Sequence, residues 1–499
     1  MRSLFVAGAL AALALAAGCG RDPGSTAAPS EPLLRLRFVG SEAAVQAMEP
    51  GPLREVWTHD QTRALGGRLA ARLAELAAPA FGSSPAALEP LAAEFLRRGG
   101  LAEWHDAAGQ PRLAVALPGD AAAAQRWQST LGAGGRVTAT NGVLFIAPAT
   151  GLPAGFMAAW ARPAAPGALL TAELRGAELA RRLGLERQFP FGAWPDFAAI
   201  RVTPRPTVLA LAADLKPGTP LAGAAGEWAL PVEVLRDPII SFSAARGVGE
   251  WLRGWLGSYG VALPEAPGQV FTWSFAGVPW QGFAAATLRD PAAALAAVPP
   301  GRLPGMLERM PLRNVAAGLS LTNAGPVLEL RGLPWMAPFA EARTLASGSF
   351  VIAGLLPLPR STNAPPAELL AQVLGRTNLV WYDWETTGTR AVFPAAEPGG
   401  AATTNFISRL DQLRQLRQLL VILDQPPKAV AAAPGMGIRL PGDAWVNAVA
   451  PLLGDSVTEL VQAAPDRLEL RRASRTGFNS LELMRLLAWL DPPPPPSAP

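Results

Sequence analysis

Asp383 and Glu385 stand two residues apart in the run Leu379-Val380-Trp381-Tyr382-Asp383-Trp384-Glu385. Aromatic and β-branched residues at this density predict a strand. Alternation along a strand places both carboxylates on one face, with Trp381 as the nearest like-facing neighbour. Two carboxylates beside a tryptophan can hydrolyse a glycoside, one donating a proton while the other acts as base or nucleophile. The same spacing is ordinary on a solvated sheet face, with Tyr382 and Trp384 turned inward. Asp383 and Glu385 are therefore the candidate functional residues of the chain. A catalytic role for them requires a concave setting and a raised pKa on one.

Other routes to chemistry are poorly supplied. The only histidines, His59 and His105, lack the close spacing of a helical zinc site, and no Gly-x-Ser-x-Gly elbow accompanies them. Solvated or helix-end positions are expected for both. Gly247-Val248-Gly249, between a predicted strand and helix, superficially resembles a dinucleotide fingerprint. The third glycine is missing, and Trp251 and Leu252 stand where that helix would need a small residue. Turn chemistry accounts for these glycines, and no metal or cofactor is expected. Trp251 and Trp255 lie four apart on an apolar helical pattern, which predicts core filling. Gly277-Val278-Pro279-Trp280 and Gly332-Leu333-Pro334-Trp335 predict proline-fixed turns packed by tryptophan.

The net charge is only +4 over 499 residues, Lys216 and Lys428 are the sole lysines, and the arginines are scattered among acids. Without a basic cluster or stripe, a nucleic-acid partner is not expected.

The N-terminus carries an address. Arg2 is followed by an apolar run from Leu4 to Ala17 and by Leu15-Ala16-Ala17-Gly18-Cys19, which contains the only cysteine. The run is short for a membrane span, and small residues precede the cysteine as a signal peptidase requires. This segment resembles a bacterial lipoprotein signal, with Ala16 rather than leucine three places before the cysteine. The resemblance covers only the N-terminal signal and transfers no activity. It implies lipidation of Cys19, attachment to the membrane through that lipid, and export. With Gly20 in place of the aspartate that retains such proteins on the inner membrane, the outer membrane is favoured. A chain with one cysteine forms no internal disulfide, so a core must hold the body together.

The organisation follows as a signal peptide (1–18), a flexible tether (19–32), three regions (33–160, 161–310 and 311–491) and a proline-rich tail (492–499). Leu117-Pro118-Gly119-Asp120-Ala121 recurs as Leu440-Pro441-Gly442-Asp443-Ala444. Each copy precedes a helical stretch ending in Leu-Gly and then a hairpin, the first turning at Asn141-Gly142. Asp120 and Asp443 are expected as N-caps. Three further segments fit the template, led by Leu169–Leu174, Ile239–Ala244 and Phe350–Leu356, with Thr389 to Phe393 returning beside the carboxylate strand in the last. Long helices are predicted for Gln61 to Leu76, with Leu65, Leu69, Leu73 and Leu76 facing the core, and for Thr404 to Leu423. A closing helix is predicted for Ser480 to Leu490, with Asn479 and Glu482 as a capping box.

The expected fold is α+β, with repeated strand-helix-hairpin units forming antiparallel sheets and helices packed on one face. The expected function is a non-enzymatic binding or scaffolding role in the cell envelope, with an envelope protein, lipid or glycan as partner. A lipid or lipoprotein carrier and a carboxylate-dependent glycan or peptide hydrolase are the alternatives.

Overall fold

The computed structural model describes residues 31–107, 110–182, 191, 194–217, 226–258, 262–275, 282–298, 320–332, 337–359, 363–394, 406–408 and 441–490. Cys19 and the proline-rich tail lie outside them, as do residues 333–336 and 276–281 with most of both Pro-Trp turns. The fold is α+β, and its centre is one antiparallel sheet of 18 strands. These are β1 (Leu34–Phe38), β2 (Gly100–Ala107), β3 (Gln110–Pro118), β4 (Gly135–Thr140), β5 (Val143–Pro148), β6 (Leu170–Leu174), β7 (Pro195–Pro204), β8 (Leu209–Pro217), β9 (Ile239–Arg246), β10 (Gln269–Phe275), β11 (Gly282–Thr287), β12 (Ser320–Asn323), β13 (Val327–Arg331), β14 (Phe339–Leu345), β15 (Gly348–Gly354), β16 (Leu379–Thr386), β19 (Asp455–Ala464) and β20 (Arg467–Ser474). A separate small pair joins β17 (Val392–Pro394) to β18 (Phe406–Ser408). The helices are α1 (Ser41–Ala47), α2 (Pro52–Thr58), α3 (Asp60–Phe81), α4 (Pro85–Arg98), α5 (Ala121–Leu131), α6 (Phe156–Ala161), α7 (Gly176–Arg182), α8 (Gly249–Ser258), α9 (Pro291–Ala296), α10 (Ala367–Ala371), α11 (Thr387–Ala391), α12 (Pro441–Leu453) and α13 (Ser480–Leu490). No described helix is long and apolar enough to cross a membrane.

From edge to edge the strands run β4-β5-β3-β2-β1-β6-β7-β8-β20-β19-β16-β9-β10-β11-β15-β14-β13-β12. β1, β6, β9 and β16 are each followed by helix, and each pairs with the first strand of a later hairpin, β2, β7, β10 and β19 respectively, the β17–β18 pair and α12 intervening in the last case. The starting strands meet as β1 against β6 and β9 against β16, while β8 and β20 join the halves. Where each starting strand turns into helix stands a glycine: Gly40, Gly176, Gly249 or Gly388. A Cβ there would lie 2.5, 2.4, 2.0 and 2.0 Å from the carbonyl oxygens of Arg97, Pro195, Pro267 and Ala450 respectively. Only glycine lets the helix entrance lie this close to the chain leading toward the second strand.

This arrangement corrects the sequence-derived grouping. β3, expected to lead the first unit, pairs with the second hairpin strand β5 rather than the first, and is itself the second strand after β1, paired with β2. Thr389 to Phe393 does not return beside β16, because α11 begins at Thr387 and the neighbours of β16 are β9 and β19. Residues 406–408 of the expected 404–423 helix are strand, and residues 409–423 lie outside the described residues.

Two local signals behave as their chemistry dictates, and two do not. Asp120 caps α5 by accepting from Ala123 N at 2.8 Å, and Asn141 and Gly142 take φ values of 53° and 75° in the hairpin turn. Asp443 instead falls within the first turn of α12. The leucines of α3 are only half-buried. Ala70, Ala74 and Phe81 are its buried residues, since small side chains let this helix approach closely.

Helices cover both faces of the sheet at its β4 end, rather than the one face expected. Successive residues of β3 point oppositely and both sets are apolar, so each needs cover. Val115 and Leu117 pack beneath α3, α4 and α5, whereas Ala114 and Ala116 pack beneath Phe156 and Ala159 of α6. In the other half Phe242, Phe271, Trp273 and Tyr382 are covered by Trp228, Leu230 and Leu235 together with Leu369 of α10. A further core cluster reaches from Leu34 to Leu470 and so draws on all three sequence regions.

Candidate functional site

Asp383 and Glu385 share a face of β16, as alternation requires, and that face is closed. They are 1% and 0% exposed. The register aligns Asp383 with Ser243 of β9 and Thr458 of β19, and Thr458 with Arg472 of β20. Glu385 lies between Ser241 and Ser456 in the next row. A polar band therefore crosses the sheet in its interior.

The N-terminus of α13 closes it. Asn479 and Glu482 form the expected capping box, with Glu482 N donating to Asn479 Oδ1 at 3.0 Å and Asn479 N donating to Glu482 Oε2 at 3.1 Å. The next amide, Ser480 N, donates to Glu385 Oε1 at 2.5 Å, and the Ser480 hydroxyl donates to Oε2 at 2.8 Å. Arg390 of α11 adds a 2.7 Å ion pair to Glu385. Asp383 accepts from the Ser243 hydroxyl and, at 3.4 Å, from Asn479 Nδ2. Both carboxylates thus sit at the positive end of α13, where free amides and the helix dipole favour negative charge.

Glu482 also holds Arg472 through two hydrogen bonds of 2.5 and 3.0 Å, with both side chains 1% exposed. Arg472 completes its set through Thr458 Oγ1 at 2.8 Å and Gly477 O at 3.1 Å. Burial pushes the Glu482 carboxyl above its ordinary pKa, and Arg472 pulls it back only in part. The desolvation of both charges offsets much of their mutual attraction, so such a pair adds little net stability.

Neither carboxylate lines the cavity of about 450 Å³ over β1, β6, β7, β8 and β20 or the cavity of about 510 Å³ beside Trp273. A general acid or base must reach a substrate proton directly or through water. Here the lone pairs of Glu385 already accept three described donors, and those of Asp383 at least two. What this geometry does is dock a helix.

A second polar cluster lies on β1, β2 and β6. His105 is 5% exposed, not solvated, and its Nε2 lies 2.9 Å from Glu103 Oε2. Arg35 bridges Glu103 at 2.6 Å and Glu173 at 2.8 Å. Burial alone would raise the Glu103 pKa, but hydrogen bonds from His105 and Arg35 and the Arg35 charge hold it below the ordinary carboxylate range. His59 does take a helix-end position, its Nδ1 accepting from Gln61 N at 3.2 Å at the start of α3. Trp251 and Trp255 stack at 6.2 Å, and Trp255 is exposed rather than core. Gly249 lies against Pro267, and Gly247 has φ 73°, so both serve the turn as expected.

Sequence reasoning missed Arg472 and Glu103, although both carried a signal. Leu468, Leu470 and residue 472 share a strand face by period two, so a buried arginine was required there once Leu468 and Leu470 faced inward. Glu103 and His105 likewise share the face of buried Leu101. No protein-family model matches the chain, and neither a curated protein nor a solved structure matches it significantly.

Proposed function

We propose that the chain is a lipid-anchored cell-envelope protein with a non-enzymatic binding or scaffolding role, tethered to the membrane, the outer one where two exist, through a lipid on Cys19. One observation carries the non-enzymatic part: the carboxylates best placed for chemistry are enclosed and occupied by α13. The body is read as repetition of a strand-helix-hairpin unit, supported by the four glycines packed at the same place in the connection. Intact and peptide mass spectrometry of the full chain made in a bacterial host tests the anchor. A diacylglyceryl-modified Cys19 at the mature N-terminus is expected, with Cys19→Ala releasing the chain from the membrane fraction; an uncleaved cytosolic chain would overturn it. Glycan and peptide hydrolysis assays test the rest. Turnover that Asp383→Asn or Glu385→Gln abolishes, in a protein of unchanged fold, would replace scaffold by hydrolase.

A carrier reading has its own support. A cavity of about 510 Å³ is lined by Trp273, Phe283, Phe339 and Leu355, and the indole N–H of Trp273 is buried without a partner among the described residues. Lipid-sized adducts in native mass spectra that Ala353→Trp removes would favour a carrier. Bare protein would leave the scaffold.

A further inference from the structure

Across the first half of the sheet, on the face opposite the main apolar rows, five strands form a shallow trough. Its register rows read Arg37-Thr171-Arg201-Ala212-Arg471 and Arg35-Glu173-Ala199-Asp214-Glu469 over β1, β6, β7, β8 and β20. Thr171, Ala199 and Ala212 are small, so the longer arginines rise around a floor, and Arg162 after α6 walls one side. The resulting cavity measures about 450 Å³.

The charges in it are unevenly matched. Arg35 is taken by Glu103 and Glu173, Arg471 by Glu469, and Asp214 by Arg467. Arg37, Arg162 and Arg201 have no carboxylate partner among the described residues. Arg37 is nevertheless fixed in place: its Nη2 donates to Ala159 O at 2.8 Å and Trp160 O at 3.0 Å, and its guanidinium lies over the Trp160 ring. That leaves Nε and Nη1 as donors. Burial and the adjacent Arg35 both lower the Arg37 pKa, as expected of a cation lacking its counter-charge.

We propose that this trough is a binding site for a small phosphate ester, with Arg37, Arg162 and Arg201 as its phosphate ligands. A lone carboxylate would be satisfied by one guanidinium fork, whereas three guanidiniums around one cavity match a doubly charged phosphate. Glu173, Asp214 and Glu469 then serve as acceptors for hydroxyls on the organic part. A cavity of this size holds a ligand of sugar-phosphate or lipid-headgroup dimensions. The site gives the proposed binding function a ligand class, yet it does not depend on the anchor.

The test is calorimetric and thermal-shift titration of the full chain in detergent with glycerol 3-phosphate and with glycerophosphoglycerol, against sodium chloride of equal ionic strength. Saturable binding is expected for at least one phosphate. It should weaken roughly tenfold to a hundredfold in Arg37→Gln and in Arg162→Gln/Arg201→Gln. The second variant alters only exposed side chains, so it separates lost binding from lost folding, and Arg289→Gln should bind as the parent does. Preference for the diester would assign a lipid headgroup as source, and preference for the monoester a free phosphorylated metabolite. Shifts no larger than those of sodium chloride, or binding unchanged in Arg162→Gln/Arg201→Gln, would overturn the proposal. An unlipidated Cys19 with intact phosphate binding would sink the anchor and keep the site.

Discussion

One register row of the sheet is polar in one half of the molecule and apolar in the other. It runs Ser243-Asp383-Thr458-Arg472 through β9, β16, β19 and β20, then Leu211-Val202-Leu170-Phe38 through β8, β7, β6 and β1. The sheet and the interior side are the same, but the covers differ. Neighbouring Leu169 and Leu209, with Val202, pack against Met48 and Leu53 from the α1–α2 region, side chains that need only fill space. The polar row is covered by the N-terminus of α13, whose amides and carboxylate meet named partners. Apolar packing tolerates shape changes at graded cost, whereas a buried polar row fails when one member is lost. The apolar half therefore supplies generic cohesion, and the polar half fixes where one helix sits.

The sharpest way to break this contrast is at Arg472 and Glu482. Glu482→Gln leaves a buried guanidinium without its counter-charge and is expected to cost about 3–5 kcal/mol by denaturant unfolding. The double variant Arg472→Met/Glu482→Leu should recover most of that loss, because it removes both desolvation penalties together. A double variant as unstable as the single would show that the pair itself stabilises. Leu211→Ala, one position along the same row, should cost about 2–4 kcal/mol through its cavity, with no partner substitution that rescues it. Glu385→Gln comes next, at about 1–3 kcal/mol, since the amide keeps one acceptor for Ser480 while losing the charge that faces Arg390 and the α13 dipole.

How much of this could be read beforehand depends on the range of the interaction. The capping box at Asn479 and Glu482, the turn at Asn141-Gly142 and the cap at Asp120 are settled within four residues, and each is where its chemistry demands. The shared face of Asp383 and Glu385 is equally local. Whether that face is wet is not local, because it depends on Ser480, 95 residues further on. Tyr382 and Trp384 suggested a strand dry on one side only, yet helix and loop bury both sides. The pairing of β3 with β5 and of β1 with β6 was illegible for the same reason, since short apolar strands of similar composition fit several neighbours. Arg35 meets Glu103 across 68 positions, so the acid–histidine pair on β2 showed no partner in its own sequence neighbourhood.

pH sharpens the comparison from the other cluster. The Glu103 pKa is depressed in the folded chain, so its contribution to stability is present above the unfolded carboxylate value and is lost as pH falls through the folded one. Unfolding free energies of the parent and Glu103→Gln should therefore differ near neutrality and converge in acid. A difference independent of pH would mean that Glu103 acts by packing alone.

The smallest effect expected is a gain. Gly254 lies inside α8 with open space where a Cβ would go, whereas a Cβ on Gly249, at the entrance of the same helix, would lie 2.0 Å from the Pro267 carbonyl oxygen. Gly254→Ala should raise stability by about 0.5–1 kcal/mol through helix propensity and a less flexible unfolded chain. Gly249→Ala should lower it, because the helix entrance must shift away from the segment that leads into β10. Equal behaviour of the two alanines in thermal unfolding would mean that the close approach at Gly249 relaxes without cost, and that these glycines do not constrain the strand-to-helix connections. Opposite signs would tie the strand-to-helix connection to glycine itself, and the same substitution at Gly176 and Gly388 should then repeat the loss.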